Sequence, residues 1–179
     1  MTDKATLRAR ALIARQRGGD AAALTGNLAR ALAPHQGKLL AGYWPMRGEP
    51  DPRPAMAAHE GPLCLPVVPG RAVPLIFRAW NGEPLVPGAL GTRHPDDSAA
   101  QVQPQVLLVP LVGFDSRLHR LGYGGGYYDR TLEKLRGERP TVAIGVAWAV
   151  QELPAIPEEP TDQSLDALVT DREVRVALP

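Results

Sequence analysis

VLLVPLVGFDSRLHRLGYGGGYYDRTLEKLRGERPTVAIGVA, residues 106–147, decides the architecture. Val106–Val109 is a short continuous apolar run, the pattern of a strand covered on both faces. Four glycines follow (Gly122, Gly124, Gly125, Gly126), then a helical stretch from about Tyr127 to Leu135, then a second apolar run, Thr141–Ala147. Strand, glycine loop, helix and strand in that order make a βαβ unit, and ligands of such folds sit beyond the carboxyl ends of the strands.

The rest of the chain keeps this rhythm. Asp3 is placed to cap a helix whose inward face the spacing assigns to Ala5, Ala9, Leu12 and Ile13, with Gly18-Gly19 as its end. Asp20 opens a second helix, with Leu24, Leu28, Ala31 and Leu32 on one stripe, that stops before Pro34. Strands are expected at Leu39–Trp44, Leu63–Val68 and Val73–Trp80, with a proline-rich turn and a short helix, Pro54–His59, between the first two. Asn81–Gln105, rich in Gly, Pro and Asp, is expected to be surface loop. The expected fold is α/β: one three-layer domain over residues 1–179, with a largely parallel central sheet and helices on both faces.

Composition excludes several function classes. The 179 residues are 44% hydrophobic, enough for one sizeable core, and the net charge of +1 leaves no global basic field for nucleic acid or an anionic membrane. Any anion site must be local. The single cysteine, Cys64, rules out an intrachain disulfide or a multi-cysteine metal cluster, and its neighbours Leu63 and Leu65 place it in the core. The N-terminal stretch has scattered arginines and no apolar run, and no segment approaches the roughly 18 apolar residues of a membrane span. A cytoplasmic protein with neither nucleic acid nor membrane as partner is expected.

A glycine-rich loop that runs into a helix N-terminus is suited to an anion, because free amides and the positive end of the helix dipole can face phosphate oxygens. The stretch is not a Walker loop, since no G-x-x-x-x-G-K-[ST] occurs, nor a dinucleotide fingerprint, since Tyr127 stands where the last glycine belongs. A tight turn needing positive φ is the competing reading, and four glycines in five positions weigh against it. Arg120 and Arg130 flank the loop and can grip phosphate or remain solvated. Asp129, in the first helical turn, is either a capping carboxylate or a ligand to a magnesium ion carried by a bound nucleotide.

The stretch FDSRLHRLGYGGGYYDR resembles the signature of the 5-formyltetrahydrofolate cyclo-ligase family, also called methenyltetrahydrofolate synthetase. Pro110, Phe114, Asp115, Arg120 to Gly122 and Tyr127 to Asp129 fit its pattern. The family's Lys-x-x-x-Arg resembles Lys4 and Arg8, its glutamate after a Tyr-x-Pro strand end resembles Glu49 in GYWPMRGEP, and its late Asp-x-x-x-Asp resembles Asp162 and Asp166. One segment departs: where the family carries Gly-Ile-x-Glu-Pro, GTRHP puts Thr92 and His94 at the isoleucine and glutamate positions. The resemblance implies ATP held by Lys4, Arg8, Arg120, Leu121 and the run Gly122, Tyr123, Gly124, Gly125, Gly126, Tyr127 and Tyr128. It implies a reduced folate held by Arg8, Trp44, Glu49, Tyr123, Gly124, Gly125, Gly126 and Tyr127. Mg²⁺ would sit on Asp129 and Asp162, with Arg120 and Asp129 as the catalytic pair.

Lys4 and Arg8, four apart on one helix face, repel each other unless something anionic lies between them, which a triphosphate would supply. Glu49, most simply an exposed turn carboxylate, would instead accept from the N–H donors of a pterin, with Tyr43 and Trp44 as an apolar wall. The implied reaction is ATP-dependent closure of 5-formyltetrahydrofolate to 5,10-methenyltetrahydrofolate by a monomer. A phosphosugar isomerase-like enzyme, or a non-catalytic folate- or nucleotide-binding relative, are the alternatives that the residues leave open. His35, His59, His94 and His119 show no metal-ligand spacing and are expected to be structural or surface residues.

Overall fold

The computed structural model describes residues 3–177; the two outermost positions at each end of the 1–179 domain expected from sequence lie outside the described residues. Its helices are α1 (Lys4–Arg15), α2 (Ala21–Leu32), α3 (Arg53–Ala57) and α4 (Tyr127–Glu138). The strands are β1 (Leu40–Ala41), β2 (Leu63–Val67), β3 (Ile76–Ala79), β4 (Val86–Pro87), β5 (Arg93–His94), β6 (Gln101–Val102), β7 (Val106–Pro110), β8 (Gly113–Phe114), β9 (Arg120–Leu121), β10 (Val142–Val146), β11 (Ala167–Val169) and β12 (Val174–Val176).

Eight strands form one sheet in the order β12-β11-β10-β7-β1-β2-β3-β6. Its centre is parallel: Val106 of β7 pairs with Leu40 of β1 on one side and Val142 of β10 on the other. Towards the edges the pairings are antiparallel: β12 with β11, β3 with β2 and β6 with β3. The largely parallel α/β sandwich is thus as the sequence predicts. Along β7, Val106 and Leu108 face Leu24, Leu28 and Leu32 of α2 and Met56 of α3. Leu107 and Val109 face Leu132 and Leu135 of α4 on the other side. That alternation, apolar on both sides, makes the strand a continuous hydrophobic run. Cys64 is buried among the second set, as expected, and its burial pushes the thiol well above its usual range.

Both N-terminal helices are capped as predicted: Asp3 Oδ1 accepts from the Thr6 amide at 2.9 Å and Asp20 Oδ1 from Ala23 at 3.0 Å. The inward face assigned to α1 was wrong. Leu7, Ala11 and Arg15 are buried, whereas Ala5 and Ala9 are exposed, Leu12 is only half-buried and Ile13 is 68% exposed. The reason is tertiary: α1 lies on neither sheet face but across the β8–β9 hairpin, with Leu7 and Ala11 against Val112, Leu121, Leu153 and Ile156. The segment Asn81–Gln105 is also not plain loop, because β4 pairs with β5 and β6 extends the sheet at β3. Its His94 is spent locally, with Nδ1 2.6 Å from the Pro95 carbonyl.

The β8–β9 hairpin, which carries Arg120 to the mouth of the sheet, is held by the fully buried Asp115. Its carboxylate accepts from the amides of Arg117 (2.9 Å), His119 (3.1 Å) and Ile156 (3.0 Å) and from the Arg117 guanidinium (2.9 Å). Burial pushes this carboxyl upward, but those donors outweigh it and hold it below the usual carboxylate range.

Candidate active site

The carboxyl ends of β1, β2 and β7 open onto a cleft of about 1130 Å³. Chain segments far apart in sequence line it: Lys4 and Arg8 of α1, Trp44 and Glu49 beyond β1, the loop 122–126, Asp129 of α4, and Asp162.

The glycine loop runs from β9 into α4. Gly126 is the N-cap in the left-handed region (φ 64°) with no side-chain cap, so the first amides of the helix face outward without a competing acceptor from the cap residue. Gly124 has φ 97°. Arg8 reaches across from α1 and its Nε donates to the Gly122 carbonyl at 2.8 Å; Arg130 Nη1 donates to Gly125 at 2.7 Å. Both arginines therefore brace the loop from behind its carbonyls, which leaves its amides directed elsewhere.

Arg120 is placed differently from the open phosphate grip that its flanking position suggested. Its side chain is 7% exposed and Nη2 lies 2.6 Å from Asp129 Oδ1, while Nη1 donates to the Gln163 carbonyl at 3.1 Å. The Gln163 amide also donates to Asp129 Oδ1, at 3.0 Å. Burial lowers the guanidinium's affinity for its proton, and Asp129 opposes it. Arg120 thus orients Asp129 and ties it to the 159–163 loop. Lys4 meets that loop too, with Nζ 3.0 Å from Glu159 and 3.1 Å from Asp162. Partial burial works against the ammonium, and these two carboxylates outweigh it and raise its pKa. The charge facing Lys4 and Arg8 is therefore partly relieved by the chain's own carboxylates and a peptide carbonyl.

Opposite the loop, Met46–Glu49 form a tight turn whose central residues Arg47 (φ 51°) and Gly48 (φ 76°) are both left-handed. The Glu49 amide donates to the Met46 carbonyl at 3.0 Å, and the Met46 amide donates back to Glu49 Oε2 at 3.0 Å. This turns the carboxylate inward, and Glu49 is only 9% exposed, so it is not a solvated turn residue. Burial raises its pKa, against the amide of Met46, the Tyr123 hydroxyl, Arg15 and Arg47. Tyr123, on the glycine loop, donates its hydroxyl to Glu49 Oε1 at 3.0 Å. Of the expected apolar wall, Trp44 meets Trp80 edge-on with centroids 6.2 Å apart, under the Arg53 guanidinium. Tyr43 is core, its hydroxyl donated to the Pro50 carbonyl at 2.6 Å. Tyr127 and Tyr128 sit half-buried at the helix start.

Sequence reasoning missed Arg15, Glu159 and Gln163. Arg15 had a signal: it lies seven residues after Arg8, hence on the same face of α1. Glu159 and Gln163 had none, because only the folded loop brings them to Lys4 and Asp129. Among the described residues no group of three or more His, Cys, Asp or Glu side chains surrounds a metal position. A nucleotide-borne Mg²⁺ needs only one or two carboxylates beside phosphate oxygens. Asp129 Oδ2 and Asp162 Oδ1 fit that need: both residues line the cleft, and neither oxygen has a hydrogen-bond partner among the described residues. No helix among the described residues is long and apolar enough to cross a membrane.

Fold and cleft together define a three-layer α/β protein with a glycine-rich loop and a buried carboxylate at the carboxyl edge of its sheet. The chain belongs to the 5-formyltetrahydrofolate cyclo-ligase family, whose model matches residues 4–171. It is 34% identical over 100 residues to a 5-formyltetrahydrofolate cyclo-ligase of Haemophilus influenzae (53% of each chain). It is 37% identical over 116 residues to one of Escherichia coli (62% of this chain, 63% of that one). These alignments span less than two thirds of the length of those relatives. Its structure is similar to that of Aquifex aeolicus 5,10-methenyltetrahydrofolate synthetase, with TM-score 0.77 and 27% identity over 98% of this chain and 93% of the other.

Proposed function

We propose that the protein catalyses ATP-dependent cyclisation of 5-formyltetrahydrofolate to 5,10-methenyltetrahydrofolate, with release of ADP and phosphate, as a cytoplasmic monomer whose single domain carries both substrate sites. The observation that carries this is the bond from Tyr123, on the glycine loop, to Glu49: a phosphate-type loop and a carboxylate suited to pterin donors share one cleft.

In this reading the formyl oxygen attacks the γ-phosphorus and ADP leaves, which turns a poor leaving group into a phosphate ester. N10 then attacks the formyl carbon and gives up its proton to solvent, the C–N bond forms, and phosphate departs with the formyl oxygen. Phosphoryl transfer of this kind asks for alignment and charge neutralisation more than for a protein nucleophile. The amides of residues 122–128, beyond β9 and Leu121, receive the phosphates, with Lys4 and Arg8 of α1 adding positive charge beside the loop. Arg120 holds Asp129 in place. Asp129 and Asp162 would hold Mg²⁺, which supplies neutralisation of the charge on the phosphate oxygens. Glu49 accepts from the pterin, and Trp44 and Tyr127 flank the ring beside Tyr123 and the glycines. The test is spectroscopic: the methenyl product absorbs in the near ultraviolet where its precursor does not. Appearance of that band only with ATP and Mg²⁺ together is expected; its absence with both present, from folded protein, would overturn the reading.

A further inference from the structure

Arg15 has the burial of a core residue and the charge of a site residue. It is 2% exposed, at the last position of α1. Its Nη2 donates to the Tyr123 hydroxyl at 2.8 Å, and its guanidinium lies 5.5 Å from the centre of the Tyr123 ring. Tyr123 in turn donates to Glu49. Among the described residues Arg15 makes no ion pair of its own, and its Nη1 has no hydrogen-bond partner. A buried guanidinium needs an anion, and Glu49, one hydroxyl away, is the carboxylate that faces it.

We propose, resting on the functional reading above, that Arg15 is a positioning residue for the folate-side carboxylate: acting through the Tyr123 hydroxyl, it holds Glu49 ionised and aimed into the cleft. The other groups around Glu49 cannot replace it. Arg47 stands 5.6 Å from the centre of the Tyr123 ring and is exposed to solvent, which screens its charge. Tyr43 and Tyr128 are phenols whose burial keeps them protonated. The Met46 amide is fixed by the turn and carries no charge. Because Tyr123 sits on the glycine loop, the same link also sets the loop's distance from Glu49.

The test is the pH dependence of KM for 5-formyltetrahydrofolate in wild type, Arg15→Met, Arg15→Lys and Tyr123→Phe. Without the guanidinium, Glu49 binds a proton more readily. The acid limb of folate binding should therefore move to higher pH in Arg15→Met, with KM near neutrality up roughly tenfold and recovering as pH rises, while KM for ATP changes far less. Arg15→Lys should restore part of the shift. Tyr123→Phe should move the limb the same way, and the double variant by less than the sum of the two singles. Tyr123 is 44% exposed, so its variant should fold even where Arg15→Met does not. A limb unmoved in Arg15→Met and Tyr123→Phe, or a loss confined to melting temperature and kcat, would overturn the proposal. Absence of turnover in wild type would instead remove the functional reading beneath it.

Discussion

Gly122→Ala separates a phosphate cradle from a mere turn. Gly122 has no left-handed φ, and a methyl group built on its Cα meets no atom within 4 Å, so alanine fits the free protein. Replacing glycine at a compatible position stabilises by ~0.4–1 kcal/mol through the unfolded chain. For a chain of this size that is a rise in Tm of roughly 1–4 °C. Gly124 is the control: at φ 97° a side chain is strained, which costs about 1–3 kcal/mol and should lower Tm by roughly 2–12 °C. Gly125 would be a poorer probe, because its methyl would meet the Tyr127 ring at 2.7 Å. With Mg-ATP at a hundred times its Kd, wild type gains ~2.7 kcal/mol. A hundredfold loss of affinity in Gly122→Ala would cut this to ~0.4 kcal/mol, about 1–2 °C. The assay is thermal melting with and without Mg-ATP, beside turnover. The expected result is a raised Tm without nucleotide and a collapsed ATP shift. An undiminished ATP shift would refute the cradle, and a lowered Tm without nucleotide would refute the account of the loop's backbone.

Asp129→Asn keeps an acceptor for Arg120 and Gln163 but removes the charge beside a buried guanidinium. It should lower both Tm and turnover, and an unchanged Mg²⁺ dependence would refute the metal assignment. Lys4→Ala should mainly raise KM for ATP and Glu49→Ala that for folate; a reversed pattern would exchange the two subsites. Asp115→Ala should lose on the order of 3 kcal/mol, roughly 6–12 °C in Tm, because four donors lose their acceptor. Since the folded pKa of Asp115 is depressed, its contribution is present above the unfolded value near ~3.9 and lost as pH falls through the folded one. The stability gap between wild type and Asp115→Asn should thus hold constant at neutral pH and narrow only in strong acid, as urea melts across pH would show.

Local chemistry was legible in the chain itself. The continuous apolar runs at 106–109 and 141–147 can be stable only inside a sheet covered on both faces, and the caps Asp3 and Asp20 and the stripe Leu24, Leu28, Leu32 announce their helices because a period and a capping side chain act within one turn. The glycine loop and its helix were visible for the same reason, and the spacing of Lys4, Glu49, Asp129 and Asp162 could be matched to a family signature. What tertiary structure alone decided is who pairs with whom. The face α1 buries follows from the hairpin it crosses, since amphipathicity ranks faces but cannot name the partner. The edge strand β6 forms because β3 offers unpaired amides and carbonyls, which composition in a Gly- and Pro-rich segment does not reveal. Glu49 is buried by Tyr123 from 74 residues away, and Arg15 reaches that phenol across 108. Electrostatic neutrality in a low-dielectric cleft is a property of the assembled groups, so it enters only when the chain has closed around them.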